Sequence, residues 1–249
     1  MVQRVRVLVL GGTADAWALA TELHAWDGYE VVTSLAGRTS QPSLPPGQVR
    51  IGGFGGADGL AEYVRDEAID VVIDATHPFA QQISSHAAQS ARVAGVRLVA
   101  LRRPRWTEQP GDRWTHVTDL ASAAQCAASM PEDDCVFITT GRQGLEHYAS
   151  DAAHRYLIRT VDEPSRPLPP LRTVMLARGP FTVEGETALM ERYDVRVLVT
   201  KNSGGESASA KLTAARSRSI PVIMIDPPEP PALEESADTV AEVLALLAR

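Results

Sequence analysis

The chain has 249 residues, a formal net charge of −7 and two cysteines. This length supports one large or two small domains, and the cysteines form neither a disulfide framework nor a zinc-binding pattern. The acidic balance argues against a nucleic-acid-binding protein and no apolar run is as long as a membrane span, so we expect a soluble, cytoplasmic protein without a metal.

Short apolar runs alternate with amphipathic segments, the pattern of parallel strands joined by crossover helices. Strands are predicted first at residues 5–10, 30–35, 49–53, 70–76 and 96–101, with helices at 14–26, 57–68 and 79–94. After a polar stretch, strands follow at 135–140, 155–160, 173–178, 195–200 and 220–226, with helices at 119–129, 142–149, 182–193, 207–217 and 236–248. We therefore predict an α/β protein of two Rossmann-like, doubly wound parallel-sheet lobes with a cleft between them, divided into residues 1–125 and 126–249.

The first predicted strand ends on two glycines and leads directly into a helix. Laid on G-x-G-x-x-G/A, the loop has Gly11 at the first position but Thr13 at the second glycine, so the match is partial. The amides at the helix start still attract an anion, and the Thr13 hydroxyl would add a donor. We predict an anion site at Gly11, Gly12, Thr13 and Ala14, with a tight strand-to-helix turn as the alternative.

The second strand ends without an acidic residue. A carboxylate there would accept from the ribose 2′-hydroxyl of NAD, whereas the sequence has Thr33, Ser34 and then Arg38. A hydroxyl and a guanidinium bind a 2′-phosphate by charge-assisted hydrogen bonds, so the sequence predicts NADPH over NADH. The alternative for Arg38 is a solvated surface residue.

The remaining strand ends also carry polar and cationic residues. Thr76 and His77 follow the fourth strand: Thr76 is a candidate cofactor-binding residue, and His77 would contact cofactor or substrate, or cap the next helix. Further candidates follow the fifth strand and two strands of the second half: Arg102, Arg103, Arg105 and Trp106; Thr140, Gly141 and Arg142; Lys201, Asn202, Ser203 and Gly204. Guanidiniums beside an indole suit a large planar anion, and glycine-rich turns form anion nests, although solvated linkers and plain turns are the alternatives.

The chain lacks the G-x-S-x-G, H-E-x-x-H and Walker motifs. Hydride transfer requires no protein nucleophile, only a bound nicotinamide placed on its acceptor. The donor-rich strand ends therefore favour a reductase.

Four stretches in this order carry a family resemblance: "LVLGGTADAWALA", "IDATHPFA", "TTGRQGL" and "VTKNSGGESASAKLTAA". Together they resemble the precorrin-6A reductases of cobalamin biosynthesis over nearly the whole chain. The resemblance implies NADPH-dependent reduction of a ring double bond of precorrin-6A, giving precorrin-6B, with the tetrapyrrole between two Rossmann-like lobes. This substrate is fringed with acetate and propionate groups, which explains cationic strand ends on an acidic chain.

The resemblance also implies roles for the candidate residues. Gly11, Gly12 and Thr13 would bind the pyrophosphate, with Ser34 and Arg38 on the 2′-phosphate. His77 would face the cleft, together with Arg142, Lys201, Asn202 and Ser203. The proton donor stays open between His77, Lys201 and bound water.

Two alternatives remain at this point: a cobalt-precorrin-6A reductase, and a non-catalytic dinucleotide-binding module that senses redox state. The sequence leaves the oligomeric state open, with a monomer as the simplest case.

Overall fold

The computed structural model describes residues 4–37, 39, 42–165 and 167–249. The chain forms two compact units, which we call unit 1 (Met1–Pro104 and Pro228–Arg249) and unit 2 (Arg105–Pro227). Each unit contains a six-stranded sheet in which neighbouring strands pair in parallel. The predicted α/β class with two doubly wound parallel sheets is confirmed.

The sheet of unit 1 has the strand order β3-β2-β1-β4-β5-β12. Its strands are β1 (Val5–Leu10), β2 (Tyr29–Leu35), β3 (Gln48–Ile51), β4 (Val71–Asp74), β5 (Arg97–Leu101) and β12 (Glu235–Ala237). Its helices are α1 (Ala14–His24), α2 (Ala57–Asp66), α3 (Gln81–Ala94) and α7 (Val240–Leu247). Both faces of the central strands β1 and β4 are buried, which is why these strands read as continuous apolar runs.

Alternation along β1 shows how the two faces are filled. Val7 and Val9 pack in one core cluster with residues of α1 and α7, whereas Leu8 and Leu10 pack in another with residues of α2 and α3. Successive side chains of a strand point to opposite faces, so one strand contributes to both clusters.

The sheet of unit 2 has the order β6-β11-β10-β7-β8-β9. Its strands are β6 (Trp114–Val117), β7 (Cys135–Ile138), β8 (Arg155–Thr160), β9 (Arg172–Leu176), β10 (Val195–Lys201) and β11 (Val222–Ile225). Its helices are α4 (Leu120–Ala128), α5 (Val183–Arg192) and α6 (Ala210–Ser217), with short 3-10 turns at Leu145–Tyr148 and Glu206–Ala208.

The two sheets have exchanged their sixth strands. β6 follows β5 in the chain but pairs with β11 of unit 2, and β12 follows β11 but pairs with β5 of unit 1. The predicted division at residues 125 and 126 therefore needs correction, because it cuts through α4 and assigns the final segment to the wrong unit. Both strands are only three or four residues long and partly exposed, so neither shows an apolar run.

Two predicted helices also differ. Residues 142–149 form only a short 3-10 turn after Gly144, whose left-handed φ of +79° interrupts a helical path. Residues 236–248 begin as β12 and become helical only at Val240, after Thr239 caps the helix by accepting from the amide of Glu242. Among the described residues, no helix is long and apolar enough to cross a membrane.

Candidate functional site

The topology brings the predicted motifs together in pairs. In unit 1 the strand order reverses between β1 and β4, and in unit 2 between β7 and β10. Open α/β sheets bind ligands at such switch points, beyond the carboxyl ends of the strands. The loops after β1 and β4 carry Gly11–Thr13 and Thr76–His77, and the loops after β7 and β10 carry Thr140–Arg142 and Asn202–Gly204.

The loop after β1 requires its two glycines for different reasons. A Cβ on Gly11 would lie 3.2 Å from Cγ2 of Thr33, so a larger residue at this position would crowd the end of β2. Gly12 has open space around it but a φ of +108°, which L side chains rarely adopt. The chain then enters α1 at Ala14, whose amide is among those at a helix start that have no partner within the helix.

Thr13 is the N-cap of α1, and its hydroxyl is already used. Its Oγ1 accepts from the amide of Ala16 at 3.1 Å and donates to the carbonyl of Ala75 at 2.9 Å. The single hydroxyl proton is thus committed to the end of β4, so the expectation of a hydroxyl donor for the anion is wrong. Thr13 instead ties the two loops of the switch point together.

Asp74, at the end of β4, is fully buried and ion-paired. It accepts from the hydroxyl of Thr76 at 2.6 Å and from Nη2 of Arg102 at 2.5 Å. Burial raises the pKa of the Asp74 carboxyl, but Arg102 and the hydrogen bonds from Thr76 and Ser84 outweigh it and hold that pKa below its usual value. The guanidinium of Arg102 and the hydroxyl of Thr76 therefore both donate hydrogen bonds to the Asp74 carboxylate.

His77 and Arg103 also lie at this switch point. Nδ1 of His77 accepts from the amide of Phe79 at 3.2 Å, which leaves the proton of a neutral ring on Nε2. Arg103 pairs with Asp15 in the first turn of α1, with 3.3 Å between Nε and Oδ2. The structure thus puts Arg103 beside the glycine loop of unit 1.

The end of β2 carries an arginine that the sequence reasoning missed. Arg38 lies outside the described residues, but Ser34 is buried and accepts from Nη1 of Arg50, on β3, at 2.8 Å. Arg50 is the register partner of Ser34 across the β2–β3 pairing, a relation that becomes visible only when the strands are paired.

In unit 2, the loop after β7 combines a buried hydroxyl with flexible backbone. Thr140 is buried, and its hydroxyl has no hydrogen-bond partner among the described residues. Gly141 follows with a φ of +84°, and Arg142 lies 3.7 Å from Asp162, beyond the end of β8. Thr139 donates to the carbonyl of Val199, which fastens this loop to β10.

The loop after β10 is held by Asn202 and Trp106. The buried side chain of Asn202 accepts from the Trp106 amide at 2.9 Å and donates to the Trp106 carbonyl at 3.2 Å. The indole of Trp106 donates to the carbonyl of Gly205 at 3.1 Å. Asn202 thus uses its amide within the protein, whereas Lys201 ends β10 half-buried and Gly204 adopts a φ of +65° next to Ser203.

Comparisons with known proteins agree on one family. Residues 6–248 match the family described as precorrin-6x reductase CbiJ/CobK. The chain belongs to the precorrin-6x reductase family. It is 51% identical over 240 residues to a precorrin-6A reductase of Rhodococcus erythropolis, covering 96% of each chain, and 48% identical to one of Rhodobacter capsulatus, covering 98% of this chain and 96% of that one. A solved structure titled CobK precorrin-6A reductase superposes with a TM-score of 0.91 at 47% identity, covering 98% of this chain and 96% of that chain.

This member of the precorrin-6x reductase family also has a buried ionic cluster in unit 2 that sequence reasoning missed. Arg159 forms a two-point ion pair with Glu186 of α5, at 2.5 and 3.3 Å, and its guanidinium lies 3.8 Å from the ring centroid of Phe181. Lys211 of α6 is buried nearby, donates to the carbonyl of Ala208 and lies 5.0 Å from the Trp106 ring. Burial, with a contribution from Arg159, lowers the pKa of Lys211 to about 8.

One sequence signal pointed toward this cluster. Lys201 and Lys211 are the two lysines in the chain, against many arginines. A lysine retained in such a composition suggests a site where a compact, titratable cation is required. Among the residues that the structure describes, no group of three or more His, Cys, Asp or Glu side chains is arranged to hold a metal ion.

Proposed function

We propose that this chain is a precorrin-6A reductase that uses NADPH to reduce a ring double bond of its tetrapyrrole substrate in cobalamin biosynthesis. One observation carries the proposal: the four stretches that resemble the family lie at the carboxyl ends of β1, β4, β7 and β10, the strands that flank the two switch points. Family membership and identities of 45–51% to proteins named precorrin-6A reductase support the same activity.

Unit 1 has the features that a dinucleotide requires. Gly11 and Gly12 allow close approach of a pyrophosphate, the α1 amides attract its charge and Arg103 adds a cation beside them. The acid-free end of β2 favours NADPH over NADH. When bound, the nicotinamide supplies the hydride that goes to a macrocycle carbon.

Unit 2 is the proposed tetrapyrrole-binding unit. Arg142 and Lys201 offer cations for the substrate carboxylates, and the glycine backbone at Gly141 and Gly204 allows close approach. The carbon next to the hydride acceptor requires one proton, for which Lys201 and, in unit 1, Nε2 of His77 are the candidate donors. One hydride and one proton are sufficient to saturate one double bond.

The identities favour the metal-free substrate. Relatives named cobalt-precorrin-6A reductase, from Priestia megaterium and Salmonella typhimurium, are 27% and 29% identical to this chain. Those named precorrin-6A reductase reach 51%. We therefore expect precorrin-6A to be reduced in preference to its cobalt form.

The test is to follow NADPH absorbance in purified protein supplied with precorrin-6A, with cobalt-precorrin-6A or with no acceptor. The proposal requires oxidation with precorrin-6A and none without acceptor. Faster turnover of the cobalt form would move the substrate assignment to the alternative. Binding of NADPH without oxidation in any arm would instead support a redox-sensing module.

A further inference from the structure

Arg50 connects three features at the carboxyl edge of the unit 1 sheet. Its Nη1 donates to Oγ of Ser34 at 2.8 Å and to the carbonyl of Gly52 at 3.0 Å, and Nη2 donates to the carbonyl of Gly53 at 3.1 Å. Its guanidinium carbon lies 3.7 Å from the centroid of the Phe54 ring. The planar group is therefore fixed in one orientation.

Within the described part of the chain, two of the five guanidinium N–H groups of Arg50 have no partner. The contacts that Arg50 makes to described residues use both hydrogens of Nη1 and one of Nη2. The other Nη2 hydrogen and the Nε hydrogen are parts of a rigid fork that suits two oxygens of one phosphate. Because the orientation is already set by Phe54 and the loop carbonyls, binding such an anion costs little side-chain entropy.

The position of Arg50 matters as much as its geometry. It pairs in register with Ser34 of β2, one residue before the strand ends. In NAD-binding folds of this kind the end of the second strand holds a carboxylate on the ribose 2′-hydroxyl. Here a hydroxyl stands on β2, and the neighbouring strand brings a cation to it.

The loop after β3 adds an independent observation. It reads Gly52-Gly53-Phe54-Gly55-Gly56 and leads into α2. The N-cap of α2 is Gly56, which has no side chain with which to cap the helix. Gly52, Gly55 and Gly56 have left-handed φ values, but Gly53 does not, and a Cβ on Gly53 would meet no heavy atom of the described chain within 4 Å. Among the described residues, neither a left-handed φ nor a close contact accounts for Gly53, whereas a ligand that approaches the backbone would.

We propose that Arg50, together with Ser34 and the glycine loop at residues 52–56, binds the 2′-phosphate of NADPH and sets the preference for NADPH over NADH. This inference rests on the proposed use of a nicotinamide cofactor. It differs from the sequence prediction, which assigned the guanidinium of this subsite to Arg38.

The experiment measures dissociation constants of NADPH and NADH for full-length protein, without tetrapyrrole, by quenching of tryptophan fluorescence. Arg50→Met keeps an unbranched apolar side chain at this position and removes the charged fork that lies over Phe54. We expect it to weaken NADPH about 10- to 100-fold and to change NADH by less than about twofold, because only the charged hydrogen bonds are lost. Arg65→Met, which removes an exposed arginine of α2, is the matched control for charge and should change neither cofactor.

Arg50→Lys covers the case in which the Met variant does not fold. It keeps the charge but not the two-pronged donor, so NADPH should weaken about 3- to 10-fold with NADH unchanged. An unchanged ratio of the two affinities in the variants that fold overturns the assignment, as does an equal loss of both cofactors. If wild-type protein binds neither cofactor, the proposed function itself fails, which is a distinct result.

Discussion

The ion pair between Asp74 and Arg102 gives the sharpest test of how the unit 1 switch point is held. We consider Arg102→Met, which keeps the stem of the side chain and removes its charge. Asp74 has no exposed surface, so the variant leaves a buried carboxylate without its cation. Breaking one partner of a buried pair costs about 3–5 kcal/mol of unfolding free energy.

The lower end of that range applies here, about 3 kcal/mol. The side chain of Arg102 is 21% exposed, which screens part of the interaction, and the hydroxyl and amide of Thr76 still donate to the carboxylate. Asp74→Asn combined with Arg102→Met removes both charges, so we expect the double variant to recover much of this loss.

The pH dependence separates electrostatics from packing. In wild-type protein the pKa of Asp74 is held down, so its contribution is present above the unfolded pKa of about 3.9 and is lost as pH falls through the lower folded value. Without Arg102, burial dominates and raises the pKa of the carboxyl. The folded variant then binds a proton more readily than the unfolded chain. Its loss of unfolding free energy relative to wild type therefore becomes smaller as pH falls from 7 toward 4.5.

Urea unfolding at pH 7 and at pH 4.5 measures both effects, with Arg65→Met as a control that should stay within about 0.5 kcal/mol of wild type. A deficit of the same size at both pH values would refute the electrostatic account. So would a double variant as unstable as Arg102→Met alone, because the buried charge would then not be the cause.

Three further predictions follow from the described contacts. Thr13→Ala should lower the unfolding free energy by about 1–2 kcal/mol while Thr13→Ser restores it, measured by urea unfolding; equal losses would contradict the hydroxyl contacts. Because burial lowers the pKa of Lys211 to about 8, the unfolded chain binds more protons than the folded protein between pH 7 and 10. The unfolding free energy of wild-type protein should therefore rise by about 2 kcal/mol relative to that of Lys211→Met over this pH range, and a pH-independent difference would refute this. Asn202→Ala should raise the KM for precorrin-6A about tenfold, as expected for about 1.4 kcal/mol, and leave the NADPH dissociation constant unchanged; a shift in NADPH affinity would contradict a role confined to unit 2.

The sequence predicts the central strands well for a physical reason. β1, β4, β7 and β10 are buried on both faces, so each appears as an apolar run followed by a polar turn. The edge strands β6 and β12 are short and partly exposed, and their pairing depends on which sheet the chain returns to. No local pattern contains that information, so the domain boundary was predicted about 20 residues too late.

The candidate site was predicted less completely than the fold. The sequence predicts Thr13, Thr76 and Asn202 as site residues because they carry hydrogen-bonding groups, yet each uses its side chain on a neighbouring loop or strand. A sequence shows that a donor exists but not whether another group has already taken it. Arg50 shows the converse, since its relation to Ser34 arises only from strand pairing.

The exchange of the sixth strands gives the segment after β5 a role in both units. Arg102 and Arg103 form ion pairs within unit 1, with Asp74 and Asp15. The amide of Trp106 instead donates to Asn202 within unit 2. If β6 simply continued the first sheet, this segment would have no contact with the loop after β10. Because the segment instead passes to unit 2, it contacts residues at both switch points. We therefore expect a substitution in this segment to change stability and loop position. Arg102 and Arg103, which the sequence predicts as ligand donors, thus also form ion pairs within unit 1, with Asp74 of β4 and Asp15 of α1.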